Sequence, residues 1–442
     1  MKIGIMGFGL TGAAVAQFAL DSGCDVFVSE SRASSPLALD PSLRRKKTFG
    51  AEFGGHTAKL LDADLIVKSP GIRSDEKILL SAAKKGIPVT GELDFVFARI
   101  PRPAKVVAIT GTNGKTTVTA LAGAILKKKF PRVFVCGNIG LPLAAVAKKI
   151  GPRDALVLEV SSYQLEDARF FRPDVSVILN VTPDHLEHHG NMSAYAAAKS
   201  RIFLNQRPDD RCVLNFDDKI CRHLAAKAPC KKVFFSVRRK LSRGAYYDDG
   251  VFNLNLSGRA EKIKLNLAIP GEHNISNALA AFAACRLAGA GVAQIKSAGS
   301  KFNGVEHRIE SVAVKKGVGY INDSKATNVS SVEVALKALP VGIWLIMGGR
   351  DKGSPYAPLL PLIRKKVKGI FLIGEAAVRI GAELRGSAAV YFSGDLKTAV
   401  SSAAKKAQAG DIVLLSPACS SYDQFENFER RGEAFKKIVG AL

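Results

Sequence analysis

Short apolar runs alternate with longer amphipathic stretches along nearly the whole chain, the pattern left when each strand hands over to a helix that covers it. The runs predict strands at Lys2 to Met6, Asp25 to Ser29 and Leu65 to Lys68 in a first block. A second block opens with Val106 to Thr110 and continues with Ala155 to Glu159 and Val175 to Asn180, each ending in a polar or glycine-containing turn. Shorter β-like runs follow at Val233 to Ser236 and Val251 to Leu256, and a helical pattern from Asn274 to Ala288 closes that block. The alternation returns at Gly342 to Met347, Gly369 to Ile373, Val390 to Phe392 and Asp411 to Leu415. Pro101 and Pro103 disfavour continued helix and mark a first linker. The expected division is 1–101, 102–300 and 301–442, three α/β modules without a fixed-period repeat.

Composition narrows the class. A chain of 442 residues exceeds what one core usually serves, and 47% hydrophobic with 23% charged residues is an ordinary globular balance. The seven cysteines are scattered and form no CxxC pair, which argues against a disulfide framework or a cysteine zinc site and for a reducing, cytoplasmic setting. Gly7, Gly9 and Gly12 interrupt the first apolar run, so it reads as a strand rather than a signal peptide. With no apolar run of membrane-spanning length, membrane insertion is not expected. The net charge of +25 favours anionic ligands in general. Its lysines are dispersed, with no clustered basic and aromatic patch, so nucleic acid is not an expected partner.

The chemistry concentrates at strand ends. Thr110-Gly111-Thr112-Asn113-Gly114-Lys115-Thr116-Thr117 lies between an apolar strand and an Ala/Leu-rich helix, the setting of a nucleotide phosphate loop. Glycines admit phosphate to backbone N–H groups, the helix N-terminus adds partial positive charge, Lys115 can reach the outer phosphates and Thr116 can ligate Mg²⁺. The standard pattern fails only at its first glycine, where Ile109 stands. Glu159 ends the next strand and is a candidate Mg²⁺ ligand. His185 follows the third strand, expected at the same sheet edge and near Lys199, as a second metal or substrate contact.

Gly7-Phe8-Gly9-Leu10-Thr11-Gly12 also follows a strand, and Glu30 ends the next one. Alone, this is a dinucleotide fingerprint and would suit a nicotinamide-dependent dehydrogenase. The loop specifies only a pyrophosphate on a helix N-terminus, and a UDP-sugar meets that need equally well. A dehydrogenase has no use for an Mg-nucleotide loop farther on, whereas a ligase acting on a UDP-linked substrate needs both.

Taken in order, GFGLTG (7–12), SPGI (69–72), TGTNGKTT (110–117), GNIG (137–140), LEVSSYQLE (158–166), NVTPDHLEHHG (180–190), YAAAKSRIF (195–203), PGEHNISNALAA (270–281), EHRIE (306–310), NDSKATN (322–328), GGRDKG (348–353) and SPACSSYDQFENFERRG (416–432) span the chain. This series resembles the Mur ligase superfamily over essentially the full length. The resemblance implies an N-terminal Rossmann-like UDP-binding domain, a central P-loop ATPase-like domain and a C-terminal Rossmann-like domain. It implies an ATP-dependent amide ligase that adds D-glutamate to UDP-N-acetylmuramoyl-L-alanine in cytoplasmic peptidoglycan precursor synthesis, using Mg²⁺, expected as two ions and replaceable by Mn²⁺, and acting as a monomer.

The same resemblance implies the site residues. Leu10, Thr11, Glu30, Ser31 and Arg32 would hold the uridine diphosphate, with Ser69 and Gly71 beside it and Asn138 near the sugar-peptide arm. Glu30 and Ser31 stand where family members often have Asp and Thr. Gly111, Thr112, Asn113, Gly114, Lys115, Thr116 and Thr117 would bind ATP, with Asn277, Arg308 and, on the ribose side, Asp323. Thr116, Glu159, His185 and Lys199, the last carbamylated, would hold metal. Thr327, Lys352, Ser421 and Phe428 would grip D-glutamate, with Lys325 close to the reacting phosphates; Lys115, His185, Lys199 and Lys325 form the implied catalytic set. The implied route runs through an acyl phosphate, and the three-block layout leads to an expectation of domain closure. The alternatives are a sister ligase for L-alanine, a diamino acid or a dipeptide, and folylpolyglutamate synthetase, which lacks a comparable UDP-binding first block. The Asp-Asn-Pro-Arg signature of the diamino-acid enzyme is absent here.

Overall fold

The computed structural model describes residues 1–33, 47–256, 258, 260–269 and 271–442; Pro270, which opens the PGEHN motif, lies outside them. Among the described residues the chain forms three sheets. The first comprises β1 (Lys2–Met6), β2 (Asp25–Glu30), β3 (Phe49–Phe53), β4 (Leu65–Lys68) and β5 (Val89–Thr90), all parallel in the order β3-β2-β1-β4-β5. The second contains β6 (Lys105–Thr110), β7 (Val133–Gly137), β8 (Ala155–Glu159), β9 (Val175–Ile178), β10 (Arg211–Asn215), β11 (Lys231–Ser236), β12 (Gly244–Asp248), β13 (Val251–Asn255) and β14 (Ala260–Lys264). Its order is β14-β13-β12-β11-β10-β9-β6-β8-β7, parallel from β7 to β12 and antiparallel through β13 and β14.

The third sheet comprises β15 (Glu310–Lys315), β16 (Val318–Asn322), β17 (Ile343–Gly348), β18 (Val367–Ile373), β19 (Ala389–Gly394) and β20 (Ile412–Leu415). They lie in the order β15-β16-β20-β17-β18-β19, with the only antiparallel pairing among its described strands between β15 and β16. The chain divides into two compact units. One holds the first two sheets (Met1–Val181, His188–Asn266 and Ser276–Ser300) and the other the third (Thr182–Glu187, Leu267–Ile275 and Lys301–Leu442).

Strands β6, β8 and β9 are buried almost throughout because helices cover both faces, which is why they read as continuous apolar runs rather than as alternation. Strands β3, β5, β7, β10, β12, β14, β15 and β16 were not expected from the apolar pattern. Several of them, such as β3 with burial only intermediate to exposed, lack a continuous apolar signal. No helix among the described residues is long and apolar enough to cross a membrane.

Within the first unit one apolar cluster runs from Ile3 and Phe8 through Phe95 and Val106 to Leu158 and Phe203, joining the first two sheets across a shared core. Buried polar groups add to that joint. Lys68, at the end of β4, meets Asp167 at 2.7 Å and donates to the Ile72 carbonyl at 2.7 Å. Both partners are largely or fully buried, so removing either would strand a charge.

The first glycine loop is locked by its own acid. Gly7 takes a left-handed conformation (φ 88°), and a Cβ at Gly12 would overlap the carbonyl oxygen of Gly7, so the helix Leu10–Asp21 can pack this close to β1 only with glycine there. Glu30, 3% exposed, accepts from the Phe8 N–H at 2.7 Å, the Arg32 N–H at 3.0 Å and the Arg32 guanidinium at 3.1 Å. Burial alone would raise this carboxyl, but the Arg32 side chain and the N–H groups of Arg32 and Phe8 outweigh it and hold it at about 2. A carboxyl held low in the fold contributes stability above the usual glutamate range and loses it as pH falls toward about 2. Glu30→Gln should therefore lower unfolding stability at neutral pH by about 1–3 kcal/mol and flatten the acid limb in that window, read by denaturant melts at a series of pH values. An unchanged acid limb would show that Glu30 does not carry it.

Candidate active site

The phosphate loop is built where β6 delivers the chain to the helix Lys115–Leu126. Gly114 sits at the helix N-cap with φ 87°, and no side chain among the described residues caps the helix, leaving the first-turn N–H groups of Thr116 and Thr117 suited to anion oxygens. Asn180, at the end of β9's run, clamps the loop. Its carbonyl accepts from the Thr112 N–H at 3.0 Å, its Oδ1 accepts from the Asn113 N–H at 2.8 Å, and its Nδ2 donates to the Asn113 carbonyl at 3.1 Å. A Cβ on Gly114 would overlap Asn277 Oδ1, so Asn277 stands directly against the loop.

Two lysines converge on one carbonyl. Lys115 Nζ donates to Gly111 O at 2.9 Å and to Thr112 O at 2.8 Å, and Lys199 Nζ donates to Gly111 O at 2.9 Å. Lys199 is buried, with its ammonium 4.4 Å from the centre of the Tyr195 ring, and the Tyr195 hydroxyl lies 3.2 Å from Thr112 Oγ1. Thr116 and Thr117 are buried in the first turn.

At the neighbouring strand end, Glu159 Oε1 accepts from Asn138 Nδ2 at 2.8 Å, while its Oε2 is buried without a hydrogen-bond partner among the described residues. An acceptor-only oxygen in that position fits a hard cation, and Thr116 adds a second oxygen. The residues present thus suit Mg²⁺ beside a nucleotide phosphate.

A cavity of about 860 Å³ opens in the same unit. All eight residues expected to hold the UDP-linked substrate line it: Leu10, Thr11, Glu30, Ser31, Arg32, Ser69, Gly71 and Asn138. Glu30 forms part of its wall, but its oxygens are engaged by its own loop, so it shapes the pocket rather than offering an open acceptor to a sugar hydroxyl. The wall also contains His56 and Arg73, which the sequence did not single out, and Gln164, which lies in the polar run after Glu159. Gln164 was visible as the third residue after Ser161, and it forms a capping box with that serine.

The other expected residues gather in the second unit. His185 has φ 55°, and its Nε2 lies 3.6 Å from Asp184. Asp184 also approaches Lys352 Nζ at 3.8 Å and accepts from Asn328 Nδ2 at 2.9 Å. Asp323 is fully buried, accepts from Ser416 Oγ at 2.8 Å and the Ile309 N–H at 3.2 Å, and lies 3.7 Å from Arg308. Burial pushes its carboxyl up to about 6 against the opposing pull of Arg308 and Ser416. Lys325 Nζ stands 4.3 Å from the centre of the Phe428 ring, Thr327 is half-buried and Ser421 is buried.

Arg431, overlooked in the sequence, ties these loops together. Only 1% exposed, its guanidinium donates to Ser324 Oγ at 3.0 Å, Ser324 O at 2.9 Å and Cys419 O at 3.1 Å. Ser324 Oγ in turn donates to the Phe428 carbonyl at 2.8 Å. An arginine inside the FERRG run looks like helix-surface charge, and nothing in that local pattern announces its burial.

Residues 1–91 match the N-terminal domain of MurD-like Mur ligases, 109–285 the Mur ligase middle domain and 307–419 the Mur ligase glutamate ligase domain. The UDP-N-acetylmuramoylalanine--D-glutamate ligase of Elusimicrobium minutum is 42% identical, covering 100% of this chain and 98% of its own. Its counterpart from Acidobacterium capsulatum is 44% identical over 99% of this chain and 96% of its own. Among solved structures, the UDP-N-acetylmuramate-alanine ligase MurC of Thermotoga maritima superposes with a TM-score of 0.60 at 23% identity, covering 100% of this chain and 99% of its own. The MurF ligase of the same organism, in complex with ADP, reaches 0.62 at 19% identity over 99% and 95%. With three ordered domain matches and full-length relatives above 40% identity, the chain belongs to the Mur ligase family, in the group of UDP-N-acetylmuramoylalanine--D-glutamate ligases.

Proposed function

We propose that this chain catalyses ATP-dependent addition of D-glutamate to UDP-N-acetylmuramoyl-L-alanine, with residues 1–101 serving the UDP-linked substrate, 102–300 ATP and 301–442 the incoming amino acid. The observation that carries this reading is the presence in one compact unit of a phosphate loop and a separate cavity lined by a second glycine loop. A ligase for a sugar-nucleotide acid needs both sites. A nicotinamide dehydrogenase uses only one, and it would need its strand-end acid facing a ribose rather than turned into its own loop. Full-length relatives named for the D-glutamate reaction favour that amino acid over those of the sister ligases.

A carboxylate does not acylate an amine at neutral pH without activation. The alanyl carboxylate would accept the γ-phosphoryl group of ATP, and the D-glutamate amine would then displace phosphate from the acyl carbon. The protein's share is positioning and charge neutralisation. Lys115, released from Gly111 and Thr112, would follow the charge on the transferring group, and the helix N-terminus would hold the neighbouring oxygens. Thr116 and Glu159 would hold Mg²⁺, which supplies Lewis-acid neutralisation of the phosphates when bound. Lys199, if carbamylated, would offer oxygens instead of an ammonium, serving a second Mg²⁺ or Mn²⁺. In the second unit, His185 is assigned a metal or substrate contact. Arg308 and Asp323 are assigned to the nucleotide, Lys325 to the phosphates, and Thr327, Lys352, Ser421 and Phe428 to D-glutamate. The two carboxylates of that amino acid suit cationic and hydroxyl partners. The chain is proposed to act as a cytoplasmic monomer without nucleic-acid or membrane partners.

Three measurements test this reading. Phosphate release with UDP-N-acetylmuramoyl-L-alanine, ATP and Mg²⁺ should occur with D-glutamate and not with L-glutamate, L-alanine or meso-diaminopimelate; release with another amino acid alone would reassign the specificity. Lys115→Ala should slow that release roughly 100- to 1,000-fold, and an unchanged rate in the folded variant would refute its role. Arg431→Lys, which loses the planar fork that spans Ser324 and Cys419, should raise KM for D-glutamate roughly tenfold while leaving KM for ATP nearly unchanged. Equal rises in both constants would mark Arg431 as a general packing residue.

A further inference from the structure

Apart from the phosphate loop and the sugar-nucleotide cavity, one cluster in the first unit assembles the donor set of a transition metal. Glu166 ends the helix Ser162–Glu166, and His188 and His189 end the helix Leu186–His189. His188 Nε2 lies 2.9 Å from Glu166 Oε2, and His189 Nδ1 lies 3.2 Å from Glu166 Oε1. One donor atom from each of the three residues falls within 4.8 Å of the other two. We propose that Glu166, His188 and His189 form a binding site for a divalent transition-metal ion of the Zn²⁺ class, distinct from the positions assigned to Mg²⁺.

The spacing suits such an ion. Metal bonds of about 2.0–2.1 Å in a tetrahedron separate neighbouring ligand atoms by about 3.3 Å, close to the 2.9 Å and 3.2 Å that separate the two imidazoles from the Glu166 carboxylate oxygens. Two imidazoles and one carboxylate select Zn²⁺, Co²⁺ or Ni²⁺ over Mg²⁺, which prefers an oxygen shell. A water would complete the four positions, and the three protein ligands bring a single negative charge.

The surroundings aim the ligands. The second ring nitrogen of His189, Nε2, lies 3.0 Å from Ser162 Oγ, the kind of outer partner that fixes the tautomer of a ligating histidine. The Tyr163 ring meets His188 edge-on at 4.5 Å and restrains its rotation. The His189 and His188 side chains are only 2% and 10% exposed, whereas Glu166 is 27% exposed, so the imidazoles are held by the protein and the opening lies on the carboxylate side. Without an ion, His188 Nε2 hydrogen-bonds with Glu166 Oε2. To bind one, both rings are neutral: His188 carries its proton on Nδ1, so that Nε2 faces the metal, and His189 carries its proton on Nε2, donated to Ser162 Oγ, so that Nδ1 does. The site also borders the phosphate loop, since the His189 ring lies 5.1 Å from Tyr195, which reaches Thr112.

The test is Zn²⁺ titration of the full-length, chelator-stripped protein in excess Mg²⁺, followed by calorimetry, with His188→Gln and the isosteric Glu166→Gln as variants. The proposal expects one Zn²⁺ per chain and a loss of affinity of at least about tenfold in each variant whose melting matches the wild type. Co²⁺ added to the wild type under the same conditions should give the intense visible absorption of a tetrahedral site, a readout that does not depend on the variants folding. Equal Zn²⁺ uptake by wild type and variants, no uptake by the wild type, or only the weak octahedral Co²⁺ spectrum would each overturn the proposal.

Discussion

Two ammonium groups on one backbone carbonyl define this molecule's chemistry. Lys115 and Lys199 reach Gly111 O from different helices, each at 2.9 Å, and such a concentration of positive charge at a helix N-terminus is relieved by an anion. The features around it serve that arrangement. Gly114 must be left-handed to start the helix beneath Asn277, Asn180 clamps the loop with three hydrogen bonds, and Glu159 presents a buried oxygen that a cation would satisfy. The parallel sheet is what brings these residues together, since β6, β8 and β9 are adjacent and all end on one edge.

The first sheet solves a similar problem differently. Its loop also follows a parallel strand and opens a helix, but its acid turns inward. Glu30 secures Phe8 and Arg32, so the polar groups it leaves to face the cavity include Arg32, His56, Arg73, Asn138 and Gln164. In the second unit the organising group is a cation. Arg431 gathers carbonyls from loops that also carry Lys325, Ser421 and Phe428, so backbone acceptors that would otherwise lie buried and unmet are satisfied by one side chain.

Much of this was legible in the chain because phosphate chemistry leaves local signatures. Glycines at fixed offsets after an apolar run marked both loops, and the acids and amides at strand ends marked the sheet edges. The eight cavity residues were reached through the family resemblance, and of them Leu10, Thr11, Ser69, Gly71 and Asn138 lie inside its quoted motifs. Three classes of feature were not legible. Half-exposed strands such as β3 and β15 lack the continuous apolar run of a strand buried on both faces. Arg431 and Lys68 look like surface charge until the fold buries them. The closeness of Glu166 to His188 and His189 joins residues more than twenty positions apart through the turn after β9, a proximity no spacing rule predicts.

In the proposed reaction the phosphate loop activates a carboxylate before any amine arrives. The most direct measurement is borohydride trapping with ATP, Mg²⁺ and UDP-N-acetylmuramoyl-L-alanine in the absence of D-glutamate, because borohydride reduces an acyl phosphate to an alcohol and leaves a free carboxylate intact. Alaninol recovered after hydrolysis, and only when ATP is present, is the predicted result. Unreduced alanine with ATP, from enzyme that turns over once D-glutamate is added, would contradict it.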